Sequence, residues 1–195
     1  MPPTIKNLIG FHGTDLKNLK VIKKDGFESS QGDEHWLGEG IYFFTEGITG
    51  DPKIDARNWA IAHAWDNNLK LNKYSNYVIL FALINVNEDL LLDLTTKDGM
   101  DVFNYVRQKY IDKIKAGGWK LKSGQDFEDG HIINDARNSL KITIDVVKAN
   151  FYIKFAVERK YSINFRIPNT TILSVYNTKC IESASIREVD KGVVI

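Results

Sequence analysis

Apolar residues along the chain alternate between strand-like runs and helix-like spacing. Leu8 to Phe11 and Ile41 to Phe44 are short, nearly continuous apolar stretches, the mark of buried strands. Tyr77 to Val86 is a longer run of β-branched and aromatic residues and predicts a third buried strand, with Leu90 to Leu92 as a short fourth. Between these runs the spacing turns helical. Asp15 to Lys24 reads as a helix with Asp15 near its N-cap and Gly26 as its stop. Asp51-Pro52 opens another, carrying Ile54, Trp59, Ala62 and Trp65. Met100 to Ile114 sets Val102, Val106, Tyr110 and Ile114 on one face, and Gly117-Gly118 breaks it. Asp129 to Leu140 is a further helix with Asp129 as cap.

Glu28 to Glu34 is polar and reads as a loop. Ile142 to Val147 stays open between helix end and strand. Beyond Phe151 strands are expected at Tyr152–Val157, Ile163–Arg166, Ile172–Tyr176 and Ile181–Val189, with Pro168-Asn169 as a turn. Helices early and in the middle, with strands at the end, predict an α+β fold with antiparallel sheets. A length of 195 residues fits a single domain spanning 1–195.

Composition narrows the class only a little. An apolar fraction of 43% and a charged fraction of 26% are those of an ordinary globular protein. The net charge of +1 supplies no bulk attraction to nucleic acid or membrane. Cys180 is the one cysteine, which excludes an intramolecular disulfide and a cysteine zinc cluster, and a reducing cytoplasm is the expected setting. The first residues, Met1-Pro2-Pro3-Thr4-Ile5-Lys6, lack the pattern of a signal peptide. No apolar run approaches the roughly 20 residues of a membrane helix.

Two motifs carry candidate chemistry. Phe11-His12-Gly13-Thr14 stands where a strand ends and a helix begins. Gly13 lets a flat ligand approach the main chain, and its N–H and C=O match a carboxamide, while His12 can donate to a ribose hydroxyl. Read without context, the same tetrapeptide is a turn with a surface imidazole. Trp36-Leu37-Gly38-Glu39-Gly40-Ile41-Tyr42-Phe43-Phe44 puts two glycines before an aromatic strand. Alternation sends Tyr42 to one face and Ile41 and Phe43 to the other. A ring beside a glycine-lined cleft suits stacking on a planar heterocycle. Neither a Gly-x-Gly-x-x-Gly nor a Walker A lysine motif is present, so a dinucleotide would not bind in the Rossmann manner.

His-Gly-Thr followed by Gly-x-Gly-Ile-Tyr-Phe resembles the first two motifs of the ADP-ribosyltransferase superfamily. The likeness is to its His-Tyr-Glu branch, which includes the poly(ADP-ribose) polymerases and diphtheria-type toxins. It covers the first third of the chain well and the rest loosely. It implies a split antiparallel β-sandwich cradling NAD⁺ as co-substrate, with no metal. It also implies that His12 bonds the adenosine-side ribose, that the Gly13 backbone holds the nicotinamide carboxamide, and that Tyr42 stacks on nicotinamide. Thr14 and Gly40 complete the implied binding set. Arg57-Asn58-Trp59 resembles the position of a second aromatic, with Trp59 as the ring.

Breaking the C1′–nicotinamide bond passes through an oxocarbenium-like state that a carboxylate stabilises. The resemblance puts that glutamate at the start of a late strand, where Glu182 fits best, with Glu188 and then Glu158 as alternatives. Small stand-alone domains of this kind resemble bacterial or phage toxins and effectors, including toxin–antitoxin components. The implied partners are a macromolecular acceptor, protein or nucleic acid, and an antitoxin or inhibitor. Hydrolysis of NAD⁺ in the same pocket, or a non-catalytic NAD or ADP-ribose-binding module, are the alternatives. His35, His63 and His131 read as isolated surface or capping residues, and Lys17, Lys20, Lys23 and Lys24 as a solvated helix face.

Overall fold

The computed structural model describes residues 3–30, 35–48, 50–118 and 127–194. Among them, β1 (Ile5–Asp15) runs through a 3-10 turn into α1 (Leu19–Asp25), followed by β2 (Ile41–Thr45) and α2 (Pro52–Ala64). A small hairpin of β3 (Trp65–Asp66) and β4 (Leu71–Asn72) precedes the long β5 (Asn76–Asn87) and short β6 (Leu91–Asp93). Then come α3 (Lys97–Ala116), α4 (Asp129–Asn138), β7 (Val146–Phe151), α5 (Ala156–Lys160), β8 (Thr170–Val175) and β9 (Arg187–Val193). The fold is α+β, as the element order predicts.

Seven strands form one sheet in the order β6-β7-β8-β2-β1-β5-β9, antiparallel except for the β6–β7 pair. β1 pairs with β5 along its whole length, from Ile5↔Asn87 to Asp15↔Tyr77. On its other edge β1 meets β2 at Phe11↔Phe44 alone. The sheet is therefore continuous in name but parted in the middle, with β6, β7, β8 and β2 on one side and β1, β5 and β9 on the other.

Alternation along β5 explains the layering. Val78, Leu80, Ala82, Ile84 and Val86 face one side, where they join Phe43, Leu173 and Val175 under Ile22 and Phe27. Tyr77 and Ile79 face the other, under α2. On that same side α3 and α4 cover β7, with Phe103, Val106 and Tyr110 meeting Ile132, Ile133, Val147 and Ala149.

Several elements differ from the sequence reading for identifiable reasons. α2 buries Ala56, Ala60 and Ala64, while Ile54 is exposed and Trp65 has left the helix for β3. Its contact face is chosen by size, because it lies almost against the β1 backbone. α3 buries Phe103 in place of Val102. α4 is capped by Glu128 and His131 in a reciprocal box, so Asp129 is its first helical residue and not its cap. The expected strand at Tyr152–Val157 is replaced by irregular chain and α5. There the Asn169 amide takes the ladder's part, accepting from Ile153 N at 2.8 Å and donating to Ile153 O at 2.9 Å. Ile163–Arg166 is no strand either. Ile163 N–H closes the end of α5 on Glu158 O, and Phe165 and Ile167 stand in solvent.

Candidate functional site

A cleft of about 430 Å³ opens where β1 and β2 part, between α2 and the chain leading into β2. β1 supplies His12, Gly13 and Thr14, β2 supplies Ile41, Tyr42 and Phe44, and α2 supplies Trp59 and His63. Both sequence motifs and the expected second aromatic thus converge on one cavity.

His12 bridges the parting. Its Nδ1 lies 2.8 Å from Tyr42 O, and a carbonyl can only accept, so Nδ1 carries the hydrogen and Nε2 of the neutral ring is an acceptor. Burial lowers the imidazole pKa, and the bond to Tyr42 O only partly opposes this. The ring is held edge-on by Phe27 at 5.1 Å and Phe43 at 5.8 Å between centroids. With the neutral ring favoured, His12 offers a lone pair to a hydroxyl, where the sequence reading had it donate, because its one N–H is already spent on Tyr42 O.

Gly13 is glycine because of packing. A methyl there would run into the Ala56 carbonyl oxygen and stand 2.9 Å from its carbon and 3.1 Å from Ala60 Cβ. Its peptide edge has a separate use. Thr45 Oγ1 donates to Ile9 O at 2.6 Å, so the peptide groups of Ile9, and by alternation those of Phe11 and Gly13, point toward β2. Past Phe11↔Phe44 no ladder continues, and the Gly13 edge opens on the cleft. Thr14 lines the cleft while its Oγ1 accepts from Asn18 Nδ2 at 2.9 Å.

Tyr42 is anchored at its far end. Its hydroxyl donates to Gly38 O at 2.7 Å and accepts from Leu37 N at 2.9 Å, and burial pushes its pKa up to about 12, so it stays a donor. That fixes the ring without engaging it, leaving an aromatic surface in the cleft wall. Tyr176 donates to Leu37 O and braces the same loop. Gly40 is not part of the lining. It lies against Ser174 Oγ of β8, and its carbonyl accepts from Ser30 N at 3.1 Å, so its absent side chain serves packing behind the wall.

Around Tyr42 stand further rings. Trp36 stacks on Phe151 at 5.4 Å and meets Trp59 edge-on at 5.8 Å. Trp59 stacks on His63 at 5.4 Å with 15° between planes, and His35 lies 6.0 Å from Tyr42. His35 and His63 are therefore cleft residues, not the isolated surface histidines expected, and His131 alone serves as a cap. No group of three or more metal-binding side chains is found among the described residues.

The expected carboxylates do not come to the cleft. Glu182 caps a 3-10 turn at an exposed position, its N–H on Leu83 O and its Oε2 3.4 Å from Asn85 Nδ2. That is beside the far half of β5, away from Leu80, which pairs with His12. Glu188 pairs with Leu80 two strands from His12 and forms an ion pair with Lys191 at 2.9 Å. Glu158 sits in α5. The acid in the described lining is Glu28, next to the Phe27 that braces His12. Sequence reasoning passed over Glu28 and Ser30, took Trp36 only as the start of the second motif, and read His35 and His63 as surface residues. The only available signal was their closeness to the two motifs, or, for His63, its place one turn after Trp59.

No family model matches the chain. Among curated proteins, a stretch of 148 residues is 32% identical to an uncharacterized protein of Methanocaldococcus jannaschii. The match takes in 73% of this chain and 64% of that protein, so the chain spans less than two thirds of the relative's length.

Proposed function

We propose that this chain is an NAD⁺-dependent mono-ADP-ribosyltransferase built on a split antiparallel sandwich. The observation that carries the reading is the parting of β1 from β2. His12 and Tyr42 are tied across the gap, and the Gly13 peptide edge opens beside a ring wall. A cavity of about 430 Å³ lies within the range of roughly 300–1,000 Å³ usual for small-ligand sites.

In this reading Gly13 N–H and C=O pair with the carboxamide of nicotinamide. Tyr42 supplies the face on which the pyridinium ring lies, and Trp59 the second ring. His12 Nε2 accepts from a ribose hydroxyl. Glu28 is the carboxylate that faces the charge developing at C1′, taking the role the sequence assigned to Glu182. NAD⁺ enters as co-substrate, and nicotinamide leaves. The acceptor is a macromolecule, and a toxin or effector restrained by an inhibitor protein is the biological role such chemistry serves.

One observation favours a second reading. Glu182, Glu188 and Glu158 all lie outside the lining, which is what a non-catalytic NAD or ADP-ribose-binding module would show. Nicotinamide release by wild type, Glu28→Gln and Glu182→Gln separates the two. The transferase reading expects activity in wild type and Glu182→Gln, and a loss of about 10²-fold or more in Glu28→Gln. Tight NAD⁺ binding without turnover by wild type would establish the module.

A further inference from the structure

A second cleft, of about 360 Å³, lies behind the aromatic wall of the first. Trp59 and His63 line both. Trp65, Asn67, Asn68, Lys73 and Arg159 line the second cleft as well. Lys73 N–H bonds Ala64 O at 2.7 Å, and Arg159 is steadied through Nε on Lys154 O at 2.9 Å. Burial lowers the His63 pKa, and the charges of Lys73 and Arg159 lower it further. The single acid, Asp66, is committed to the hairpin turn, accepting from Asn68 N at 2.8 Å and Leu69 N at 2.9 Å. Trp65 keeps 43% of its surface exposed.

Two cations, an exposed indole, a stacked Trp–His wall and side-chain amides form the combination that holds single-stranded nucleic acid. Cations meet phosphates, rings stack on bases, and amides meet base edges. We infer that this second cleft seats a segment of single-stranded nucleic acid, the acceptor for the transfer proposed above. The inference rests on that reading for the word acceptor, but not for the binding. An oxygen or nitrogen of the seated nucleotide would form its bond to C1′ of NAD⁺. The electron pair of the C1′–nitrogen bond would leave with nicotinamide, and the acceptor's proton would pass to solvent. Trp59 stands between the two clefts, so the seated chain lies one ring away from the proposed nicotinamide position.

The test uses fluorescein-labelled eight-nucleotide RNA and DNA strands, with anisotropy read across a salt series. Wild type should bind, with affinity falling as salt rises. Lys73→Ala/Arg159→Ala should lower the log–log salt slope by about 1.4, at about 0.7 per lost contact on a single strand. Trp65→Ala should weaken binding roughly 5-fold or more through lost stacking. Nicotinamide release in water alone should not change in these variants. Adenylate-labelled NAD⁺ should mark the oligonucleotide, and the mark should fall with binding. Absence of strand binding by wild type, or unaltered binding in the folded double variant, overturns the inference. Label found on protein and not on the strand overturns it as well. Strand binding that depends on Lys73 and Arg159 without any NAD⁺ turnover upholds the nucleic-acid cleft and refutes the transferase reading alone.

Discussion

Replacing Gly13 by alanine tests how the cleft is built. The added methyl would fall against the Ala56 carbonyl, 2.9 Å from its carbon and 3.1 Å from Ala60 Cβ. The obstruction is mostly helix backbone, so no side-chain rotation relieves it and α2 must shift away from β1. Overpacking of this kind costs about 2–3 kcal/mol. For a chain of this size that is about 4–12 °C in Tm. Trp59 and His63 ride on α2, so the cleft should widen at the same time. Thermal melting followed by circular dichroism reads the first effect, and calorimetric titration with NAD⁺ reads the second. Gly13→Ala is expected to melt earlier and bind NAD⁺ more weakly. A variant with wild-type Tm would refute the close approach of α2 to β1. Wild-type Tm combined with abolished NAD⁺ binding would show that Gly13 is there for the ligand alone.

Other outcomes follow from single contacts. Tyr42→Phe loses both the bond to Gly38 O and that from Leu37 N, and should lower stability by about 1–3 kcal/mol in denaturant titration while keeping the ring surface. Its NAD⁺ affinity should fall less than that of Tyr42→Ala. The His12 pKa is lowered in the fold by burial, so its contribution to stability is complete above about pH 6.5 and is lost as pH falls toward the depressed value. Wild-type unfolding free energy should therefore drop between pH 7 and 5, and His12→Asn should show a shallower drop. His63 is shifted in the same direction and leaves part of the slope in place. Arg57→Ala breaks a 2.6 Å bond to Asp190 that clasps α2 to β9 at a partly exposed site, and should cost no more than about 1 kcal/mol with NAD⁺ affinity unchanged.

Much of this was legible in the sequence because local rules and the fold agree. β2, β5 and β8 are apolar runs, and each became a strand in the sheet interior. Gly26 ends α1 by its left-handed backbone, with its N–H on Ile22 O. That His12, Gly13, Thr14, Tyr42 and Trp59 line one cleft was expected from the family resemblance of two short motifs and one helix turn, and not from local rules. What failed was long-range. The choice of Ala56 and Ala60 over Ile54 as the contact face of α2 depends on how near β1 lies, which no periodicity records. Asn169 standing in for a strand partner is a side chain doing a backbone's task across 16 residues. Glu182 was sought at the start of a last strand, but that strand begins at Arg187, after two 3-10 turns that carry Glu182 to the outer edge of β5. Glu28 reaches the cleft through the path of a loop, and loop paths are set by what they pack against.

Whether this cleft cleaves NAD⁺ is read from the release of nicotinamide by the purified chain, followed by chromatography, for wild type and for Tyr42→Ala. Wild type should release nicotinamide steadily, and the rate should fall about 10²-fold or more when the ring that fixes the pyridinium is removed. Wild-type protein that releases no nicotinamide, whether or not it binds NAD⁺, would contradict the proposed chemistry.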